Sequence, residues 1–314
     1  MSLEDKPFSF LENLHPPKGA TVDKRLLNIT VQNLLQHTGG WNRTSTGIDV
    51  FGIQTALYIS QSLGFPPPPR PSEAIRFMKA IALDFDPGSA MEYSNFGYLI
   101  LGRVIEKATG MNYGEYVQKH MFHPLGIRDI KLGQSMLEHL AHNEVRYYGI
   151  NGEDAPFVSI FPNQGFVNSS YGIMDYRSSD SYASWTGSAG ELVRFVDHID
   201  GLRRPAVLKK EMVDAMLNAP MPSNRGSVAG NELFDHPRGL DVFVSVDKRS
   251  GNITSFQHNG AASGARSYVM RLTEENITFA LLVNTLPTDP GFDYIVAGNL
   301  SKVARAIRNW PLQG

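Results

Sequence analysis

A serine and a lysine three residues apart can start acyl-transfer chemistry, because a helix places such a pair on one face, where the lysine can activate the hydroxyl. The chain has this spacing at Ser245 and Lys248. We expect that segment to be a strand leading into a turn, and a strand sends residues three apart to opposite faces. We therefore interpret this pair as a chance match. Ser188, at the start of a predicted helix, has no lysine three residues later.

Carboxylates and histidines cluster in sequence at Glu138, His139, His142 and Glu144. Their spacing fits neither H-E-x-x-H nor H-x-x-E-H, so we interpret them as a solvated polar face. The chain has no cysteine and no glycine-rich phosphate-binding pattern. We therefore predict no metal site and no cofactor.

Four segments, in this order along the chain, carry a resemblance to the β-lactamase and penicillin-binding protein family of serine hydrolases. The first is the run LLQHTGG that follows Thr30, and the third is HMFHPLGI. The second and most specific places Tyr93-Ser94-Asn95 after Pro87-Gly88 and before GYLILGRVIEKATG. The fourth is His258-Asn259-Gly260, similar to the family's K-T-G element. We consider the ordered set specific, whereas one tripeptide alone is weak.

This resemblance implies roles for two residues of the second segment. Tyr93 would be the base that takes the proton of the nucleophilic serine, and Asn95 a side-chain donor to the substrate amide or to the lysine. A phenol has an ordinary pKa near 10, so it needs a nearby cation to act as a base near neutrality. In the family the paired lysine is that cation.

The fourth segment would form the substrate-binding edge of the sheet. Gly260 lets a substrate approach the backbone closely, and the N–H of Ala261 would donate to the oxyanion. His258 would supply a donor or a positive field. Asn259 replaces the usual Thr or Ser, and histidine is only partly charged at pH 7, so we favour esterase or peptidase activity over β-lactamase activity.

The resemblance also implies a missing segment. The family's serine lies about 20 to 25 residues before a segment similar to Ser2–Pro7. We therefore expect the nucleophile, its lysine, their helix and one or two strands to precede Met1. A chain without them would expose apolar surface, which favours self-association.

The fold class follows from the order of the predicted elements. Helices are predicted after Thr30, after Ser72 as a cap, over 95–108, over 113–121 and after Ser188, with an irregular connector over 150–187. Strands are predicted over 239–246, 253–258, 266–272 and 277–283, followed by an amphipathic helix over 294–310. This order predicts an α+β protein with an antiparallel sheet flanked by helices and a mostly helical subdomain. We divide it into an N-terminal loop segment (1–27), the helical subdomain (28–205) and the sheet with its C-terminal helix (206–314).

Composition limits the classes of partner that the chain can bind. A net charge of −2 without a basic cluster argues against nucleic acid. No signal peptide or membrane span is visible, and the compartment stays unassigned. We predict a hydrolase of small esters or amides that lacks its nucleophile as given. The alternative is a non-catalytic relative that binds a ligand or scaffolds a partner.

Overall fold

The protein is described by a computed structural model over residues 1–219, 239–247, 249–289 and 291–307. These residues form two compact units. The first unit comprises Met1–Arg146 and Asp154–Gly187. The second comprises Tyr147–Glu153, Ser188–Ala219 and the described residues from Gly239 onward. The predicted three-part division stays a prediction.

The first unit is mostly helical and carries two small hairpins. Strand β1 pairs with β4, and β2 pairs with β3, both antiparallel. Single turns of 3₁₀-helix and one π-helical turn connect the main elements. The elements are α1 (Pro7–Phe10), α2 (Val31–Leu35), α3 (Arg43–Thr46), α4 (Ile53–Leu63), α5 (Pro71–Met78), α6 (Asn95–Thr109), α7 (Tyr113–Val117), β1 (Lys131–Leu132), β2 (Pro156–Val158), β3 (Phe166–Asn168) and β4 (Trp185–Thr186).

Helix α6 forms the centre of the first unit. Its N-cap is Ser94, whose hydroxyl accepts from the Gly97 N–H, and it ends at Gly110 in the left-handed conformation. The side chains of Ile100 and Val104 are fully buried against residues of α1, α2 and α5. The prediction of a buried helix over 95–108 is therefore confirmed.

Two predicted helix boundaries were displaced. The helix assigned to a Ser72 cap begins at Pro71, with Arg70 as N-cap, because proline suits the first helical position and the Glu73 carboxylate accepts from the Arg70 N–H. Helix α2 has the expected Thr30 cap. Gly39 and Gly40 predict its end there, but it stops at Leu35, because His37 adopts a positive φ of 57°.

The second unit is an antiparallel meander with helices on its faces, so the α+β prediction is confirmed. Strands β5 to β8 lie side by side in sequence order. Residues of α8 and α9 pack with Val244 and Phe256, while residues of α10 pack with Tyr268, Met270 and Leu272. The elements are α8 (Ala189–Asp197), α9 (Lys210–Asn218), β5 (Phe243–Val246), β6 (Ile253–Ala262), β7 (Ala265–Leu272), β8 (Ile277–Val283) and α10 (Phe292–Ala306).

An arginine with no exposed surface ties this sheet to the end of α8. The Nε of Arg271 donates to Asp200 at 2.7 Å, and its Nη1 lies 3.5 Å from the carboxylate of Asp197. Its guanidinium also contacts Asn276 and Thr278. Both carboxylates are over nine-tenths buried, and Asp197 has a second cationic partner in Arg203 at 3.2 Å.

We predict that Arg271→Met lowers the free energy of unfolding by about 3–5 kcal/mol, because it removes the guanidinium that pairs with the buried carboxylate of Asp200 and leaves Asp197 with Arg203. Urea denaturation measures this loss. The matched control is Arg305→Met, which removes a half-exposed pair with Glu275 and should cost less than about 1 kcal/mol. Equal losses in the two variants would contradict the prediction.

Candidate functional site

The backbone that precedes Tyr93 is hydrogen-bonded to the segment that follows α2. The Glu92 N–H donates to the carbonyl of His37 at 2.9 Å, and the Gly88 N–H donates to that of Thr38 at 2.8 Å. Gly40 has a φ of 114°, and a Cβ there would stand 2.8 Å from the carbonyl oxygen of Phe85. The two segments therefore approach too closely for any residue except glycine at position 40.

His37 is the link between this frame and α6. Its buried Nδ1 accepts the backbone N–H of Ser94, the N-cap residue, at 3.1 Å. A nitrogen that accepts this bond carries no proton, so the imidazole is neutral with its proton on Nε2. The ring centroid lies 4.4 Å from that of Tyr93 and 5.3 Å from that of Tyr98.

Arg43 is the cation beside Tyr93. Its guanidinium carbon lies 4.6 Å from the centroid of the Tyr93 ring, a cation–π geometry. Its Nη1 pairs with Oδ2 of Asp49 at 2.7 Å. Asp49 in turn accepts from Nδ2 of Asn95 at 2.9 and 3.1 Å. We call His37, Arg43, Asp49, Tyr93 and Asn95 the Tyr93 cluster.

The contacts of Asn95 bear on its predicted role. Its side-chain nitrogen, expected to donate to a ligand or a lysine, already has a carboxylate acceptor within the chain. Burial of Asn95 at the first turn of α6 keeps the amide in that place. The amide oxygen and the second N–H are the groups that a ligand could use.

Glu92, next to Tyr93 in sequence, adds a charge to this region. Burial raises the pKa of its carboxyl; Arg43 lowers that pKa and Asp84 raises it further. The net direction is upward, so less negative charge stands beside the tyrosine than a solvated glutamate would place there.

A cavity of about 30 Å³ lies close by, lined by residues that include Phe51, Leu99 and Tyr182. It has room for water.

His258 lies on β6 in the second unit. Its Nε2 is 3.6 Å from Oδ1 of Asp241, and its side chain is 38% exposed. Burial lowers the pKa of this imidazole, but the Asp241 carboxylate outweighs burial, so the pKa is raised above its ordinary value of 6.5. The histidine therefore carries more positive charge near neutrality than a solvated one.

The other predicted residues of β6 alternate between its faces. His258 and Gly260 lie on the face of Phe256, while Asn259 and Ala261 lie on the opposite face. A Cβ at position 260 would stand 2.7 Å from the hydroxyl of Ser267 on β7. Among the described residues, β5 pairs with β6 only over 253–257, so the segment from His258 onward pairs with β7 alone.

Ser245 lies within a strand, and Ser188 caps a helix. Ser245 lies on β5 opposite Ser255, as expected for a strand, and Lys248 falls outside the described residues. The hydroxyl of Ser188 caps α8 by accepting the Glu191 N–H at 3.2 Å.

The structure thus brings Tyr93 and Asn95 together in the first unit, and His258, Asn259, Gly260 and Ala261 in the second. Sequence analysis missed Arg43, Asp49 and Asp241. Arg43 and Asp49 lie more than 40 residues from Tyr93 in loop-like sequence, and Asp241 lies at the start of a strand pattern. No periodicity or motif in the sequence marks any of the three.

Comparison with known proteins gives independent evidence on the family of the chain. A family model described as Beta-lactamase matches residues 19–300 of the chain. The chain is 27% identical over 214 residues to the mitochondrial serine beta-lactamase-like protein LACTB of Mus musculus, which covers 65% of this chain and 36% of that protein. It is 25% identical over 225 residues to penicillin-binding protein 4 of Amycolatopsis lactamdurans, with coverages of 67% and 52%. The matched region thus spans about a third to a half of these relatives.

Solved structures agree on the fold. D-amino acid amidase from Ochrobactrum anthropi SV3 aligns with a TM-score of 0.64 and 18% identity, over 97% of this chain and 80% of that chain. The octameric penicillin-binding protein homologue from Pyrococcus abyssi aligns with a TM-score of 0.60 and 22% identity, over 96% and 60%. The predicted family resemblance is confirmed. Across the described residues, no helix combines the length and apolarity needed to cross a bilayer.

We predict that Asp241→Asn lowers the pKa of His258, because burial then acts without the opposing carboxylate. Titration of the imidazole by nuclear magnetic resonance measures the change. Since the folded-state pKa is raised, the charged histidine stabilises the fold below pH 6.5, and this contribution is lost as the pH rises through the folded-state pKa.

The matched control is Asp214→Asn on α9, whose carboxylate pairs with Lys210. It should leave the His258 titration unchanged. An unchanged titration in Asp241→Asn would show that this carboxylate does not set the charge of the histidine.

Proposed function

The chain belongs to the β-lactamase family, and we propose that it comes from a serine hydrolase that cleaves esters or small amides through an acyl-enzyme. The observation that carries the proposal is the position of Tyr93 at the N-terminus of α6 with the Arg43 guanidinium 4.6 Å from its ring. A cation there favours the phenolate, the form that can act as a base.

The proposed reaction uses Tyr93 twice. As phenolate it accepts the proton of a serine hydroxyl while the serine oxygen bonds to the substrate carbonyl carbon. The oxyanion that forms accepts a hydrogen bond from the Ala261 N–H. Collapse breaks the ester or amide bond, and the leaving alcohol or amine takes the proton from Tyr93. Water then attacks the acyl-serine by the same proton route and releases the acid.

The choice of esters and small amides rests on β6. His258 holds a partial positive charge beside Asp241, where the K-T-G element of other members has a lysine. A partly charged histidine is a weaker partner for a β-lactam carboxylate than a lysine. We therefore assign His258 to orienting a polar substrate group, and Asn259 and Gly260 to the substrate-binding strand. A fold neighbour described as a D-amino acid amidase supports the amide class.

The nucleophile of the proposal is a serine of an S-x-x-K segment outside this sequence. The only match to that spacing, Ser245–Lys248, begins on a strand rather than a helix. Self-association of a chain without that segment is part of the proposal, and a fold neighbour described as octameric supports it.

A second candidate is a non-catalytic relative that retains a ligand site. The observation that favours it is the Asn95 amide, whose nitrogen donates to Asp49, which leaves its second N–H and its oxygen as the groups for a ligand.

We predict that the reading frame upstream of the Met1 codon encodes S-x-x-K about 20 to 25 codons before Ser2. The extended protein should react with a serine-directed phosphonate at that serine and hydrolyse p-nitrophenyl esters. Tyr93→Phe in the extended protein should lower the esterase rate by about 10²- to 10⁴-fold, the range for loss of a general base.

The chain as given, and the same chain with Ser245→Ala, are the controls, and neither should be labelled. Labelling of the chain as given would contradict the assignment of the nucleophile. A stop codon upstream without the motif would favour the non-catalytic candidate.

A further inference from the structure

We propose that Arg43 and Asp49 are positioning residues for Tyr93: Arg43 stabilises the phenolate, and Asp49 holds Arg43 against the ring. The inference deepens the proposed function, because it names the source of the charge that makes Tyr93 a base. In the family that the chain resembles, a lysine supplies that charge. Here an arginine of α3 stands beside the ring within the chain itself.

Hydrogen bonds at the start of helix α3 restrict the position of Arg43. Its N-cap Asn42 accepts from the N–H groups of Thr44 and Ser45. The Asn42 N–H donates to the carboxylate of Asp84 at 2.8 Å. The single turn that carries Arg43 is therefore fixed at its start by side-chain and backbone bonds.

Asp49 is held from several directions. Its carboxylate accepts from Arg43, from Asn95 and from the Phe51 N–H at 3.0 Å, while its own N–H donates to Thr55 at 3.2 Å. A carboxylate with this many donors keeps one orientation. Its contact with Asn95 ties Arg43 to the first turn of α6, the same turn that Tyr93 precedes.

The other titratable groups near Tyr93 do not replace Arg43. His37 is neutral, because its Nδ1 accepts the Ser94 N–H. Glu92, Asp84 and Asp49 carry carboxyls, which oppose a phenolate wherever they are ionised, and Asp49 does so as the direct partner of Arg43. Arg43 is therefore the positive group in this set, and it is permanently charged.

The geometry sets the expected size of the effect. A unit positive charge about 4–5 Å from a phenolate in a water-like surrounding changes the ionisation constant of the phenol by about two- to fivefold. The side chain of Arg43 is 43% exposed, so solvent screens part of its field. We expect an effect in that range on the ionisation of Tyr93.

The test is an ultraviolet titration of phenolate in the chain as it exists, without substrate. The chain has 12 tyrosines, so the spectrum of Tyr93→Phe is subtracted at each pH to isolate Tyr93. In Arg43→Gln the phenolate fraction at a pH below the midpoint should fall about two- to fivefold. Arg43→Lys, which keeps the charge, should recover at least half of that loss.

Two controls separate this effect from a change in fold. Arg70→Gln removes an exposed arginine of the same unit that pairs with Glu73, and it should leave the Tyr93 titration unchanged. Circular dichroism and thermal unfolding establish that Arg43→Gln is folded. A folded Arg43→Gln with the wild-type titration would overturn the proposal.

A double-mutant comparison tests Asp49. In an Asp49→Asn background, Arg43 is no longer held by a carboxylate, so Arg43→Gln should change the Tyr93 titration by less than it does in the wild type. An equal change would show that Asp49 does not position Arg43.

These measurements do not depend on hydrolysis. If Arg43→Gln shifts the Tyr93 titration but the extended protein does not react with the phosphonate, the Arg43 inference is upheld and the hydrolase is rejected. If the extended protein is labelled and cleaves esters but the Tyr93 titration is unshifted, the hydrolase is upheld and the Arg43 inference is rejected.

Discussion

The hydrogen bond from the Ser94 N–H to Nδ1 of His37 joins the two segments on which the first unit's candidate site depends. Ser94 is the N-cap of α6, so its N–H is not used within that helix and needs an acceptor. His37 provides one at a buried position and thereby fixes where α6 begins. Tyr93 precedes that cap and Asn95 follows it, so one bond sets the placement of both residues. It also fixes the neutral form of the histidine beside the Tyr93 ring.

In the second unit, ion pairs hold a helix and the sheet together. Arg271 sits without exposed surface between two nearly buried carboxylates at the end of α8, and so ties β7 to that helix. His258 shares the Phe256 face of β6, two positions along the strand, and has a carboxylate partner of its own in Asp241. Buried ion pairs are demanding in geometry, because either charge alone in that place is strongly unfavourable. The buried pairs of Arg271 therefore restrict how β7 can shift.

Sequence patterns predicted the elements well where one periodicity dominates. The four strands of the meander have strong alternation, and α6 has a clear cap and a terminal glycine. All five elements are present in the structure. Helix α4 and helix α9 were not predicted, and α5 was predicted to begin two residues late, because Ser72 was predicted as its cap whereas Pro71 occupies its first position. The motif residues were identified by resemblance. Their charged partners were not, because Arg43, Asp49 and Asp241 reach the motifs through tertiary contacts that leave no local signal.

Gly260 illustrates how two demands can fall on one residue. A glycine at this place on β6 suits the close approach of a substrate to the backbone. The Ser267 hydroxyl also lies 2.7 Å from where a Cβ at this position would stand, so a larger residue fits only if that hydroxyl rotates away. A descendant that had lost all chemistry would therefore still have a packing reason to keep this glycine. The presence of the glycine in a related sequence is compatible with either demand, and it cannot by itself distinguish an enzyme from an inactive homologue.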